Sequence, residues 1–307
     1  MSFAKIVKHP IRSFKNFLKR FYFCFLSSKI VSDKISIKAK YKAVFHKKLD
    51  LENPQTFNEK LNWMKLYYRF PTLTNLVDKH EVKLIVSNLI GADFVIPEIG
   101  VYDNWGDVNF DKIAEPFVIK TTHSSGVIVL VNDKSAINWR SIKKKIKKSL
   151  RHNYFYRNRE WPYKDIKPRI LIEKLIKDPV EVNLPVFKFF CFSGEPFIVQ
   201  TIKNDKTSYE TIDYFDMGWN RLELSQNFAN SDIPLPKPSN FEEMKRIAKK
   251  LAGTHPFIRV DLYSVGGKIY FSEYTFFSDA GYTKFHPENW DLLLGEKIIL
   301  PLNGTDH

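Results

Sequence analysis

The stretch from Arg259 to Thr275, RVDLYSVGGKIYFSEYT, narrows the choice of fold more than any other. Ile258, Val260 and Leu262 alternate with Arg259, Asp261 and Tyr263, the period-2 pattern of a half-buried strand. After Gly266-Gly267, Ile269 to Thr275 is rich in β-branched and aromatic residues, so the two runs read as a hairpin. Register decides its chemistry, because a one-residue slip sends every side chain to the opposite face. A two-residue loop at the glycines sets Asp261 across from Ser272. A three- or five-residue connection centred on Gly267 sets Asp261 across from Glu273 and Arg259 across from Thr275. Two glycines suit the three-residue loop, which needs a left-handed residue. Two carboxylates and a guanidinium then share one face, with neighbouring Cβ atoms about 5 Å apart. That set suits Mg²⁺, which takes one or two protein carboxylates with substrate phosphate oxygens, and the arginine is placed to stabilise a transferring phosphoryl group. On pattern alone the other reading stays open, a surface Arg-Asp pair beside a solvated Glu.

A chain of 307 residues is long enough for two or three subdomains around sizeable cores. Cys24 and Cys191, far apart, exclude a disulfide framework or a Cys-rich zinc site and fit a reducing compartment, the cytoplasm. The net charge of +14 would suit nucleic acid, a membrane surface or anionic substrates. It is concentrated in the basic residues from Lys5 to Lys48 and in the run Arg140 to Lys148. Neither run sits in an RNA-recognition, helix-turn-helix or zinc-finger pattern, so no nucleic acid is expected. Over residues 13 to 30, Phe14, Phe17, Leu18, Phe21 and Phe25 recur at helical spacing with Lys15, Lys19 and Arg20 off that stripe. Two readings stand side by side: a helix lying on an anionic inner leaflet, or one docked on the body of the protein.

Thr56 and Glu59 form a capping box for a helix carrying Leu61, Met64 and Leu66. From Asp78 to Leu89 a second helix is expected, with Asp78 as N-cap and Lys79 in its first turn, where the helix dipole disfavours a cation unless an anion is to be met. Phe117 to Lys120 and Val127 to Val131 read as strands around the loop TTHSSG, whose hydroxyls and backbone N-H groups can face phosphate oxygens; the competing reading is an ordinary hairpin turn with no ligand. His123 reads as a packing or hydrogen-bonding residue. Tyr154 to Tyr163 mixes aromatics with Arg157, Arg159 and Glu160, either a stacking surface or packing beneath a loop. Ile170 to Glu173 is a buried strand, and Phe187 to Phe192 pairs with Pro196 to Ile202. There Cys191 reads as an inert core residue and Lys188 as needing an anionic partner. Phe241 to Leu251 is an amphipathic helix, and a short helix is expected near Trp290 to Leu294.

The order of these elements resembles the ATP-grasp superfamily, and more closely the TupA-like ATP-grasp proteins found with bacterial polysaccharide genes, from about Asn53 to Gly295. The stretches that carry it are NPQTFNEKLNWMKLYY, VDKHEVKLIV, FVIKTTHSSG, ILIEKLI, FKFFCFSGEP, and RVDLY with FSEYTFF. The resemblance implies an α+β, ATP-grasp fold with a nucleotide cleft between two α+β subdomains and a basic helical N-terminal extension. Its divisions would be 1–50, the basic amphipathic helical region; 51–112, an N-terminal helical/αβ subdomain; 113–180, a central ATP-binding subdomain with the phosphate loop; and 181–307, a C-terminal subdomain with the metal-binding hairpin.

It further implies that Lys79 and Lys120 contact phosphates, that Ser124, Ser125 and Gly126 form the phosphate loop, and that Glu173, Lys174 and Leu175 form the hinge that meets adenine. Lys188 matches a lysine in a similar strand. Asp261 and Glu273 would hold Mg²⁺, with Thr275 where many relatives have Asn, and Arg259 would stabilise the phosphorylated intermediate. Before Lys188, Val186 stands where the pattern has an acid, which leaves that strand's role open.

The implied activity is an ATP-dependent carboxylate-amine ligase working through an acyl phosphate. Its partners would be ATP, Mg²⁺, an acidic sugar or glycan precursor, and an amino acid or amine. Three other readings compete. A glycosyltransferase of polysaccharide synthesis would use an Asp-x-Asp motif, for which Asp213 and Asp216 are spaced too widely. The others are a kinase on the same fold and a non-catalytic adaptor at the inner face of the membrane.

Overall fold

The computed structural model describes residues 20–178, 184–205 and 207–301. Phe14, Phe17, Leu18, Lys15 and Lys19 of the expected N-terminal helix lie outside the described residues; within them the helical stretch is 20–26. Eight longer or later helices follow: α1 (Asp33–Phe45), α2 (Phe57–Tyr67), α3 (Thr72–Val77), α4 (Glu81–Ile90), α5 (Trp139–Leu150), α6 (Phe155–Asn158), α7 (Phe241–Ala252) and α8 (Asn289–Lys297).

Two antiparallel sheets form the body. The smaller takes β1 (Glu98–Tyr102), β2 (Phe117–Thr121), β3 (Ile128–Val131) and β4 (Ile170–Lys174) in the order β1-β4-β2-β3. The larger takes β5 (Val186–Phe192), β6 (Glu195–Lys203), β7 (Thr211–Asp216), β8 (Phe257–Val265) and β9 (Lys268–Thr275) in the order β7-β6-β5-β8-β9. Because β1 pairs with β4, Val101 opposite Leu171, the small sheet starts at Glu98 and the boundary expected at 113 falls inside it.

Both faces of the large sheet are covered, which is why β5 reads as an unbroken VFKFFCF and not as an alternation; every residue in it except Lys188 is buried. Phe57 of α2 sits edge-on to Phe257 at 4.9 Å between ring centroids, and Phe241 of α7 stacks on Phe189 at 5.9 Å. A separate core beneath the small sheet joins Ile146 of α5 to Phe117, Ile119, Ile172 and Trp105.

The decisive hairpin has the pairing the chemistry needs, reached by a different route. Val265 pairs with Lys268, so the connection is the two-residue Gly266-Gly267 turn, with φ of 56° and 79°. The register then shifts between Asp261 and Leu262, whose partners are Glu273 and Phe271. This β-bulge leaves Ser272 unpaired, and it, not a longer loop, sets Asp261 opposite Glu273 and Arg259 opposite Thr275.

Helix α2 is capped as its sequence requires: Thr56 Oγ1 accepts from Glu59 N at 3.3 Å and Glu59 Oε2 accepts from Thr56 N at 3.1 Å. Its first turn is pressed by α8. A Cβ on Gly295 would lie 2.2 Å from Gln55 O and 2.7 Å from Phe57 N, both backbone atoms. Gly295→Ala is therefore expected to destabilise the protein by about 1–3 kcal/mol, the range for overpacking. Urea unfolding checks it as a lowered midpoint at unchanged slope; an unaltered midpoint would show that α8 moves aside freely.

Asp291 of α8 accepts from Asn58 N and Asn58 Nδ2, each at 2.9 Å, and burial pushes its carboxyl up to about 6. The folded chain thus holds this proton more tightly than the unfolded one. Its stabilising contribution is complete below the ordinary value of 3.8 and is lost as pH rises through 6. Asp291→Asn, which keeps an acceptor for Asn58, should match the wild type at pH 4 and exceed it at pH 7.5 by up to about 3 kcal/mol. Paired thermal melts at the two pH values measure this difference.

Candidate active site

The two sheets face each other across a cleft of about 550 Å³. One side is built by β2 and β4. Lys120 and Glu173 project from the same face, because Glu173 is opposite Val118, two residues before Lys120. The Glu173 side chain is 3% exposed; one oxygen takes Lys120 Nζ in a short ion pair and the other takes Lys83 Nζ at 2.9 Å. Lys83 is fixed in turn by Ile96 O at 2.7 Å. Burial by itself would push the Glu173 carboxyl up, but the ammoniums of Lys120 and Lys83 hold it below its usual value. Glu173 likewise keeps Lys120 above the ordinary lysine value against the effect of burial.

Lys79 reaches the same place from a different element than expected. Asp78 caps the end of α3, its N-H donating to Thr74 O at 3.1 Å, and α4 starts only at Glu81. Lys79 is therefore in the connector, because the preceding helix uses the residues up to Val77 and leaves a short turn before the next. Asp78 still serves α4, its Oδ1 accepting from His80 N at 2.8 Å and Glu81 N at 3.3 Å. Lys79 Nζ donates to Ser124 O at 2.8 Å. Burial lowers its ammonium, with Glu273 opposing and Lys120 adding to the effect.

The phosphate-loop residues divide. Ser125 and Gly126 are exposed and line the cleft, with Gly126 at φ 91°. Ser124 is buried, its hydroxyl bonded to Thr121 Oγ1 at 2.7 Å and Ser149 Oγ at 3.2 Å. His123 is a packed residue, its Nε2 bonded to Ser149 O at 3.0 Å. Lys174 and Leu175 do not line the cleft; their N-H groups donate to Pro97 O at 3.0 Å and Pro116 O at 3.4 Å.

The other side belongs to β5, β8 and β9. Arg259 grips Asp261 with Nε on Oδ1 and Nη2 on Oδ2, both at 2.7 Å. Nη2 also donates to Thr275 Oγ1 at 3.0 Å and Nη1 to Ser278 Oγ at 3.2 Å. Buried Arg259 is held above its ordinary value by Asp261. Lys188, expected to need an anionic partner, has Asp261 Oδ2 at 3.8 Å. Glu273 is 41% exposed and 3.8 Å from Arg259. Burial raises its carboxyl, but Lys79, Arg259, Lys188 and Lys120 outweigh this and hold it below its usual value. Cys191 is a core residue whose thiol is pushed up by burial.

Among the described residues no group of three or more His, Cys, Asp or Glu forms a metal cage. Asp261 and Glu273 offer two carboxylates at most, and Arg259 already takes both oxygens of Asp261. A divalent cation fits this pair only if phosphate oxygens of a ligand complete its shell, which is the habit of Mg²⁺.

Four cleft residues carried no functional signal in the sequence or only a faint one. Lys83 lies four residues after Lys79 and shares Glu173. Arg157 and Glu160, from the aromatic run, line the cleft with Tyr154 and Tyr163, whose rings are 5.0 Å apart, whereas Arg159 is structural, bound to the carbonyls of Leu26, Ser28 and Val31. Asp279 also lines it.

A family model described as TupA-like ATPgrasp matches residues 59–299. Several solved structures are similar. The D-alanine-D-alanine ligase from Bacillus anthracis complexed with ATP is 17% identical, over 66% of this chain and 56% of that one, with a TM-score of 0.38. The L-amino acid ligase from Bacillus licheniformis is 12% identical, over 89% and 63%, with a TM-score of 0.48. The N5-carboxyaminoimidazole synthetase from Staphylococcus aureus is 14% identical, over 80% and 50%, with a TM-score of 0.38. The chain thus spans between half and two thirds of the length of these three proteins. No curated protein sequence matches it.

Proposed function

The chain belongs to the TupA-like ATP-grasp family, and from that premise we propose that it is an ATP-dependent carboxylate-amine ligase acting on a bacterial surface polysaccharide or its precursor. The observation that carries this reading is the placement of Lys79 and Lys120 on one wall of a single cleft and of Arg259, Asp261 and Glu273 on the other. The substrate acid is proposed to be a uronic acid or other acidic sugar, and the nucleophile an amino acid or amine.

A carboxylate is a poor acyl donor because its leaving group would be an oxide ion. ATP removes that obstacle: a carboxylate oxygen attacks the γ-phosphorus, ADP departs, and an acyl phosphate results. Lys120 and Lys79 balance phosphate charge, and Ser125 and Gly126 supply groups toward it. Glu173, fixed by Lys83, orients Lys120. Arg259, released in part from Asp261, stabilises the acyl phosphate. Asp261 and Glu273 are the residues to hold Mg²⁺, with Thr275 adjoining, and the ion would offset charge on the phosphate oxygens. Glu173 to Leu175 remains the proposed adenine edge through backbone groups. The amine then attacks the acyl carbon, forming the amide and releasing phosphate.

Purified protein incubated with ATP, Mg²⁺ and a panel of uronic acids and amines tests this. ADP, phosphate and a condensed product that all require both acid and amine are expected. A stable phosphorylated acceptor formed without amine would indicate a kinase, and sugar-nucleotide turnover without ATP a glycosyltransferase.

Among the described residues no helix is long and apolar enough to cross a membrane. We place the protein in the cytoplasm, with contact at the inner face of the membrane supported by exposed Phe21, Phe25 and Ile30 beside Arg20, Lys29 and Lys34. Co-flotation with vesicles containing phosphatidylglycerol but not with neutral ones is the expected result; equal behaviour with both would end that placement.

A further inference from the structure

Helix α2 carries a row of polar side chains that packing alone does not explain. Asn58, Asn62 and Lys65, spaced to share one helical stripe, are 1%, 0% and 0% exposed. Buried polar groups need partners, and these three find theirs in one loop more than 200 residues away. Asn58 Nδ2 donates to Thr283 O at 2.9 Å, Asn62 Nδ2 to Gly281 O at 2.8 Å, and Lys65 Nζ to Ala280 O at 2.5 Å. Lys65 also lies over the Tyr282 ring, 4.1 Å from its centroid.

The loop so gripped has an unusual backbone. Asp279, Ala280 and Gly281 are all left-handed, at φ 47°, 54° and 64°, which the first two residue types seldom adopt. Ser278, Ala280 and Gly281 are buried by this turn, and Asp279 alone is exposed, toward the cleft. Its chain neighbour Ser278 accepts from Arg259, and the Asp279 carboxylate is near enough to help hold that guanidinium above its ordinary value. Among the described residues Asp279 makes no ion pair, although the cleft around it is rich in cations. Glu160, 6% exposed, lines the same cleft.

We propose that Asp279 receives the acceptor amine, binding it as an ammonium ion and taking the proton that frees its lone pair, and that Asn58, Asn62 and Lys65 are the positioning residues that hold Asp279 there. The inference rests on the ligase reading above and names the substrate class of its second half-reaction, a primary amine that arrives protonated. In that step the ammonium gives one proton to the Asp279 carboxylate, and the nitrogen lone pair forms the C-N bond. The acyl C-O bond breaks with its electron pair going to phosphate, and the second nitrogen proton leaves with that phosphate. Arg259 remains on the acyl phosphate, so the two charged groups act on the two partners separately.

Hydroxylamine separates this role from the rest of the reaction, because it is largely neutral at pH 7 and traps acyl phosphates without needing its proton removed. Wild type and Asp279→Asn are assayed with Mg·ATP and the uronic acid panel, once with hydroxylamine and once with alanine or ethanolamine. We expect Asp279→Asn to lose at least 100-fold in kcat/KM for the amine and less than about threefold in hydroxamate formation, and Asp279→Glu to recover part of the amine reaction. Equal losses with both nucleophiles, or no loss with either, would overturn the assignment while leaving the ligase reading intact. No ADP from wild type with any acid and either nucleophile would instead overturn the ligase reading and this inference with it.

Discussion

Lys120→Met is expected to lower kcat/KM for ATP-dependent ligation by about 10³-fold, the upper end of what removing one preorganised donor to a developing anion costs. The size follows from its surroundings. Lys120 is half-buried beside Glu173, so no other side chain can take its place without breaking a pair that Lys83 only half completes. Removing it also leaves Glu173, 3% exposed, with one cation where it had two. A fall in folding stability should therefore accompany the kinetic loss. The double variant Lys120→Met/Glu173→Gln removes both charges of the pair and leaves Lys83 an amide oxygen and Glu98 at 3.8 Å. It should remain inactive while regaining the stability that the half-paired Glu173 carboxylate costs, and steady-state kinetics together with urea melts distinguish the two effects. A Lys120→Met protein with near-normal kcat/KM would remove this lysine from the phosphate site.

The second large effect is expected at Arg259. Arg259→Met leaves the Asp261 carboxylate, 2% exposed, with Lys188 at 3.8 Å as its remaining cation within ion-pair distance among the described residues. Breaking a buried pair from one side costs about 3–5 kcal/mol. Activity should fall by at least 10³-fold in addition, since the same guanidinium is assigned to the acyl phosphate. Arg259→Met/Asp261→Leu removes both charges and should regain most of the stability with none of the activity. Retained activity in the single variant would show that the pair is structural only.

Much of this arrangement was legible in the sequence because it is local. The alternation in β8 and β9, the capping box of α2 and the apolar run of β5 each follow from residues within one or two turns of each other. The facing of Asp261 and Glu273 was legible as an outcome, but its cause was not. The glycine pair makes the shortest turn, and the bulge at Ser272, which no turn rule predicts, restores the pairing. Lys79 lines the cleft although its helix was placed two residues too early, because a helix boundary depends on where the preceding helix ends. What the sequence hid is long-range. Asn58, Asn62 and Lys65 look like ordinary positions on a capped helix until their carbonyl partners at 280 to 283 are known. Nor does the sequence show that Pro97 and Pro116 take the N-H groups of Lys174 and Leu175.

Calorimetric titration of the full chain with a non-hydrolysable ATP analogue, with and without Mg²⁺, tests most directly whether the cleft between the sheets is a nucleotide site. One saturable site is predicted, tighter with Mg²⁺ than without, weakened at least tenfold in Lys120→Met, and stripped of its Mg²⁺ dependence in Asp261→Asn. The contrary result is an absence of saturable binding, or the same affinity for wild type and both variants whether or not Mg²⁺ is present.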